Sequence, residues 1–128
     1  MTPPAAIAVA PATILVVEDE PATLDLVTAA LRREGYIVID APGPAAAIGL
    51  AAMHPGELDL VLTDVVMPEM NGVQMFEQIA RHRPRARVVF MSGFGGDGVH
   101  GYADAPLLHK PFGVNGLIAA ARAALAER

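Results

Sequence analysis

The chain has 128 residues, enough for one ordinary domain and too few for two independent cores. With 53% hydrophobic and 18% charged residues it can pack an interior, and a formal net charge of −5 gives it no general attraction for phosphate backbones or anionic lipid. It contains no cysteine, which excludes a disulfide framework, a cysteine nucleophile, an iron–sulfur cluster and the usual structural zinc sites; any metal must be held mainly by oxygen or histidine.

The first twelve residues, MTPPAAIAVAPA, are apolar, but prolines interrupt them and the first positive side chain is Arg32, so they lack the basic start of an export signal. They are expected to form a flexible Ala/Pro leader over residues 1–12, with the folded domain over residues 13–128. No stretch of about 18 apolar residues runs without a charge or a breaker, so no membrane span is expected and the protein is expected to be cytoplasmic.

From Thr13 onward, short apolar runs of strand length alternate with longer stretches of helical spacing. The strand candidates are Ile14 to Val17, Tyr36 to Asp40, Leu58 to Thr63, Arg87 to Met91 and Leu107 to His109. Three of them are unbroken apolar runs, the pattern of parallel strands covered on both faces. Between them, Leu24, Val27 and Leu31 fall at i, i+3 and i+7, Phe76 and Ile79 mark a second stripe, and Leu117, Ile118 and Leu125 mark a last amphipathic helix. Gly35 is expected to end the first helix and Pro55-Gly56 the second. The segment SGFGGDGVHGYADAP carries five glycines where a fourth helix should stand. Each interior Gly costs a helix about 1 kcal/mol relative to Ala, so that helix is expected to be short, displaced or mobile. Five βα units with right-handed crossovers predict an open α/β (βα)5 doubly wound parallel sheet, because a closed barrel needs eight units and roughly 250 residues.

In such sheets ligands bind outside the carboxyl ends of the strands. Glu18, Asp19 and Glu20 follow the first strand directly. Acids there also cap the next helix, which is the preferred role for Glu20 and an equal alternative for Glu18 and Asp19 taken singly. Asp64 closes the third apolar run, in LDLVLTD, ahead of VVMPEMNG with its turn formers Pro68 and Gly72. In a sheet ordered 2-1-3-4-5 the first and third strands are neighbours, and closely spaced carboxylates repel unless a cation or proton lies between them. Oxygen ligands of this kind suit Mg²⁺. Ser92, the only serine, ends the fourth strand, where position alone favours a helix cap over an oxyanion donor. Lys110, the only lysine among nine basic residues, ends the fifth. A compact ammonium suits a phosphoryl oxygen or a close carboxylate better than a forked guanidinium does. Together these groups fit phosphoryl transfer: Mg²⁺ and Lys110 neutralise phosphate charge, a carboxylate attacks phosphorus in line, and an acyl phosphate on aspartate results.

The motifs ILVVEDE, LTDVVMPEMNG, MSG and HKPF, in that order, resemble the receiver domains of bacterial two-component response regulators, over about residues 13–126. The resemblance implies a flavodoxin-like fold and a signalling phosphoacceptor rather than an enzyme acting on other substrates. It implies Asp64 as the phosphoacceptor, and Asp19, Asp64 and the Val66 backbone carbonyl as Mg²⁺ ligands, with Glu18 acting through metal-bound water. Ser92 and Lys110 are then the hydroxyl and ammonium that meet the phosphoryl group, and Lys110-Pro111 a cis peptide. The implied partner is a histidine kinase or histidine phosphotransfer protein, with no direct contact to nucleic acid or membrane and a weak homodimer left open. Receivers often carry an aromatic residue three positions before the lysine. Leu107 stands there in this chain, which argues against aromatic gating. The MSGF and LLHKPF wording resembles receivers attached to hybrid histidine kinases.

Other chemistries fit less well. A haloacid-dehalogenase-type phosphatase needs a second Asp two residues after the nucleophile, where Val66 stands. A carrier of FMN or cobalamin lacks its phosphate-cradling loop after Val17 and its Asp-x-His-x-x-Gly string. A degenerate receiver that only binds protein partners is the remaining alternative. His54, His82, His100 and His109 lack i, i+4 pairing and are expected at the surface, Met67 and Met70 flank a turn, Met75 and Met91 are expected to fill packing gaps, and Arg81, Arg83, Arg85 and Arg87 are expected to form a solvated face or helix C-terminal charges.

Overall fold

A computed structural model describes residues 10–93 and 105–126. Five strands and four helices follow in the order β1 (Thr13–Val17), α1 (Pro21–Arg33), β2 (Ile37–Ala41), α2 (Pro44–Met53), β3 (Leu60–Asp64), α3 (Gly72–His82), β4 (Arg87–Ser92), β5 (Leu107–His109) and α4 (Val114–Ala126). All strands are parallel, in the order β2-β1-β3-β4-β5, which is the expected doubly wound sheet. Residues 94–104 of the glycine-rich stretch, where a short, displaced or mobile helix was expected, and residues 1–9 of the expected leader lie outside the described residues.

The apolar runs sort by alternation onto two faces. In β1, Leu15 and Val17 join the core beneath α2 and α3, while Ile14 and Val16 join the core beneath α1 and α4. In β4, Val88 and Phe90 point to the first core and Val89 and Met91 to the second. A strand whose successive side chains are all apolar is stable only where both faces are covered, and β1 and β3 are buried throughout their length. The expected stripe Leu24, Val27 and Leu31 is the buried side of α1, and Val73, Phe76 and Ile79 lie on that of α3. Met67, Met75 and Met91 are buried and Met70 packs against the α2/α3 core, as gap-filling side chains.

Local chemistry sets the helix ends. The Glu20 carboxylate accepts from the backbone N–H groups of Ala22 and Thr23, which makes it the N-cap of α1. Gly35, at φ 95°, turns the chain after the C-cap Glu34. Asn71 and Gln74 form a reciprocal capping box at the start of α3.

Some boundaries differ from the sequence expectation. β2 and β3 begin and end one or two residues later than the apolar runs suggested. Leu58 is buried but precedes the ladder, and the carboxylate of its neighbour Asp59 accepts from the Thr13 N–H at 2.7 Å. Arg83 departs from the expected solvated face. Its guanidinium donates to the carbonyls of Ala51 (3.1 Å) and Gly56 (2.7 Å) and also to that of His54, tying the α2–β3 connection to the end of α3. Among the described residues no helix is long and apolar enough to cross a membrane.

Candidate functional site

The order β2-β1-β3 reverses the direction of winding at β1, and the crevice outside the carboxyl ends of β1 and β3 is where such a sheet binds ligands. Glu18 and Asp19 leave β1 there, and Asp64 is the last residue of β3. One oxygen from each of these three carboxylates lies within 4.8 Å of the others. Glu18 is 1% exposed and Asp64 8%, whereas Asp19 is open to solvent.

Lys110 follows β5, and its backbone N–H donates to the Ser92 carbonyl at 2.8 Å. Its ammonium reaches across the sheet end, donating to both Glu18 oxygens at 3.0 Å and to Asp64 Oδ2 at 3.2 Å. The Lys110-Pro111 peptide is cis. Ser92, the last residue of β4, is 2% exposed and sits one strand away from Asp64. Val66 lies in the loop leaving β3, with its side chain 59% exposed. Leu107, where an aromatic was the alternative, is half-buried against the α2/α3 core.

The electrostatics follow from burial. Loss of water pushes the Glu18 carboxyl up to about 7, and the neighbouring charge of Asp64 adds to this; the bonds from Lys110 oppose it. Burial works against the Lys110 charge as well, but the bonds and charges of Glu18 and Asp64 hold its pKa above the ordinary lysine value. Three carboxylates therefore face one ammonium, which leaves an excess of negative charge at the sheet end.

The donor set fits a small hard cation. Mg²⁺ takes oxygen ligands at 2.0–2.1 Å, which places neighbouring ligand oxygens about 3 Å apart and opposed ones about 4 Å apart, a modest side-chain adjustment from the spacing of these three carboxylates. Both Glu18 oxygens already accept from Lys110, whereas Asp19 is exposed and Asp64 has one oxygen outside the lysine contact. Asp19 and Asp64 are thus the better placed for direct ligation.

Two residues at this edge were missed by sequence reasoning. Thr63 is fully buried and its hydroxyl donates to the Asp64 carbonyl at 2.9 Å. Gly72 reads as a turn former, but it is the first residue of α3, and a Cβ added to it would lie 2.2 Å from the Asp64 carbonyl oxygen. The only prior signal was a small residue eight positions after an acid. Of the histidines, His82 and His109 are exposed and His54 is half-exposed, and none joins the acidic group; His100 lies outside the described residues.

The profile of the response regulator receiver domain matches residues 14–122, and the chain belongs to that family. It is 37% identical over 86 residues to the sensor kinase CckA of Brucella abortus (strain 2308), a match spanning 67% of this chain and 9% of that protein. It is 31% identical over 109 residues to the response regulator receiver protein CpdR of the same organism, spanning 82% of this chain and 89% of that one. Among solved structures, the receiver domain of the hybrid histidine kinase CckA superposes with a TM-score of 0.77 at 30% identity, covering 88% of this chain and 98% of that chain. The relatives thus include both a receiver that is a small part of a kinase and one that makes up most of a short protein.

Proposed function

We propose that this domain, spanning residues 13–128, accepts a phosphoryl group on Asp64 from a histidine kinase or histidine phosphotransfer protein, in a Mg²⁺-dependent step of two-component or phosphorelay signalling. The observation that carries the proposal is the ammonium of Lys110 held within 3.2 Å of Asp64 at the same sheet end as two further carboxylates. The kinship with CckA supports a kinase-linked partner.

In the transfer, the N–P bond of the donor phosphohistidine breaks as a carboxylate oxygen of Asp64 forms a new O–P bond, and the imidazole leaves with the electron pair. A bound Mg²⁺, held by Asp19, Asp64 and the Val66 carbonyl with Glu18 acting through water, supplies charge neutralisation for the phosphoryl oxygens. Lys110 holds Asp64 in place before transfer and offers its ammonium to a phosphoryl oxygen afterwards. Glu18 keeps that ammonium oriented toward the sheet end through its paired bonds. Ser92 supplies a hydroxyl for a second phosphoryl oxygen. The catalysis assigned to the domain is limited to its own phosphorylation and slow hydrolysis. The half-buried Leu107 supports a switch without an aromatic rotor.

The test is incubation with acetyl phosphate and Mg²⁺ followed by intact-mass measurement. The parent chain gains one phosphoryl group, and EDTA or Asp64→Asn abolishes the gain. An unmodified parent under saturating Mg²⁺, or equal modification of Asp64→Asn, would refute the assignment.

A further inference from the structure

The Asp64 carbonyl is enclosed in an unusual way for a strand end. The fully buried Thr63 hydroxyl donates to it at 2.9 Å. Beside that hydroxyl, the first residue of α3 presses against the same carbonyl. A Cβ at Gly72 would stand 2.2 Å from the carbonyl oxygen, 3.1 Å from its carbon and 3.2 Å from Thr63 Oγ1. The amide end of the same peptide is anchored as well, since the Val65 N–H donates to the Met91 carbonyl at 3.0 Å, and the next peptide is held by the Gly72 N–H, which donates to the Val65 carbonyl at 2.8 Å. The loop between Val65 and Asn71, which contains Val66 and the left-handed Glu69 at φ 74°, therefore closes on itself at the level of the Asp64 peptide.

We infer that Thr63 is a positioning residue for the cation-binding carboxylate, its hydroxyl setting the Asp64 peptide so that the Asp64 carboxylate and the Val66 carbonyl converge on one ion. The inference rests on the site assignment of the preceding subsection. The dihedral angles on either side of a peptide set the direction in which the chain beyond it leaves, relative to the side chain before it. Turning the Asp64–Val65 peptide would thus displace the loop that carries the Val66 carbonyl relative to the Asp64 carboxylate. Mg²⁺ demands near-ideal octahedral geometry, so a small turn costs affinity. Burial gives the hydroxyl its leverage, because no water is at hand to replace the bond. Gly72 completes the device by leaving room for the carbonyl, and the capping box of Asn71 and Gln74 holds that end of α3 in register.

The experiment is calorimetric titration with MgCl₂ of the parent, Thr63→Val, Thr63→Ala and Thr63→Ser, each well below its melting temperature. Val65 and Val66 amide resonances are followed in parallel. A buried hydrogen bond is worth about 0.5–1.5 kcal/mol net, so removal of the hydroxyl should weaken Mg²⁺ binding by roughly two- to tenfold. The Val and Ala variants shift the two amides in the metal-free state, and Ser keeps affinity within about twofold of the parent. A purely structural threonine would lower the melting temperature and leave the affinity of the folded protein unchanged. Parent-like affinity in either folded hydroxyl-free variant, or equal loss in Thr63→Ser, overturns the inference. A parent that does not bind Mg²⁺ overturns the site assignment beneath it, which separates the two failures.

Discussion

Lys110 and Glu18 are both drawn out of water, and the ammonium can fully match only one of the two carboxylates beside it. A carboxyl held at about 7 in the fold, against an ordinary 4.5, binds more protons in the native than in the unfolded state between those values. Its contribution to stability therefore falls as pH rises from about 4.5 to about 7 and is flat on either side. In EDTA, Glu18→Gln should gain on the parent across that window, and urea unfolding at half-unit pH steps would show the two curves separating. Parallel curves would mean that Glu18 ionises as freely in the fold as in the open chain. The sequence placed this acid at the sheet edge but not its partner, since Glu18 and Lys110 are 92 positions apart and meet only through the strand order.

At the scale of elements, the inner strands were readable and the edges less so. β1, β3 and β4 each contain an unbroken apolar stretch (ILVV, LVL and VVFM) because helices cover both their faces. β2, an edge strand with Ile37 and Asp40 exposed, carries a weaker pattern, and its bounds shifted by one residue. α2 contains no polar side chain, so no stripe distinguishes its buried Ala47 and Ala51 from the exposed Leu50 and Met53. Arg83 was unreadable for a different reason: its three acceptors are backbone carbonyls about thirty positions away, and carbonyls leave no trace in residue type. Charge-assisted bonds to carbonyls are worth about 1.5–3 kcal/mol when buried, and partial exposure reduces this. Arg83→Ala should therefore destabilise the domain by about 1–3 kcal/mol in urea. Arg83→Lys should recover less than half, because an ammonium cannot span three acceptors as a planar fork does. A loss below about 0.5 kcal/mol would show that water replaces the guanidinium at those carbonyls.

For the whole molecule, the excess negative charge at one sheet end makes cation binding a stability term. A ligand that binds only the native state adds about 2.7 kcal/mol at a hundred times its dissociation constant. Mg²⁺ should raise the melting temperature of the parent in a concentration-dependent way, and Asp19→Asn should blunt that response while leaving the metal-free protein near parental stability, since Asp19 is exposed and not bonded to Lys110. An equal Mg²⁺ response in that variant would place the ion elsewhere.

Residue order alone determined the alternation of strands and helices, the two-sided burial of β1, β3 and β4, and the arrival of an acid, an acid, a hydroxyl and a lysine at successive strand ends, because side-chain period and turn chemistry act over a few neighbouring residues. The tertiary structure decided which of those groups touch: Lys110 against Glu18 and Asp64, Thr63 against the Asp64 peptide, Gly72 against its carbonyl oxygen. The Lys110 contacts span 46 and 92 positions, and the carbonyl is a group common to every residue. Only the order and register of the sheet could bring them together.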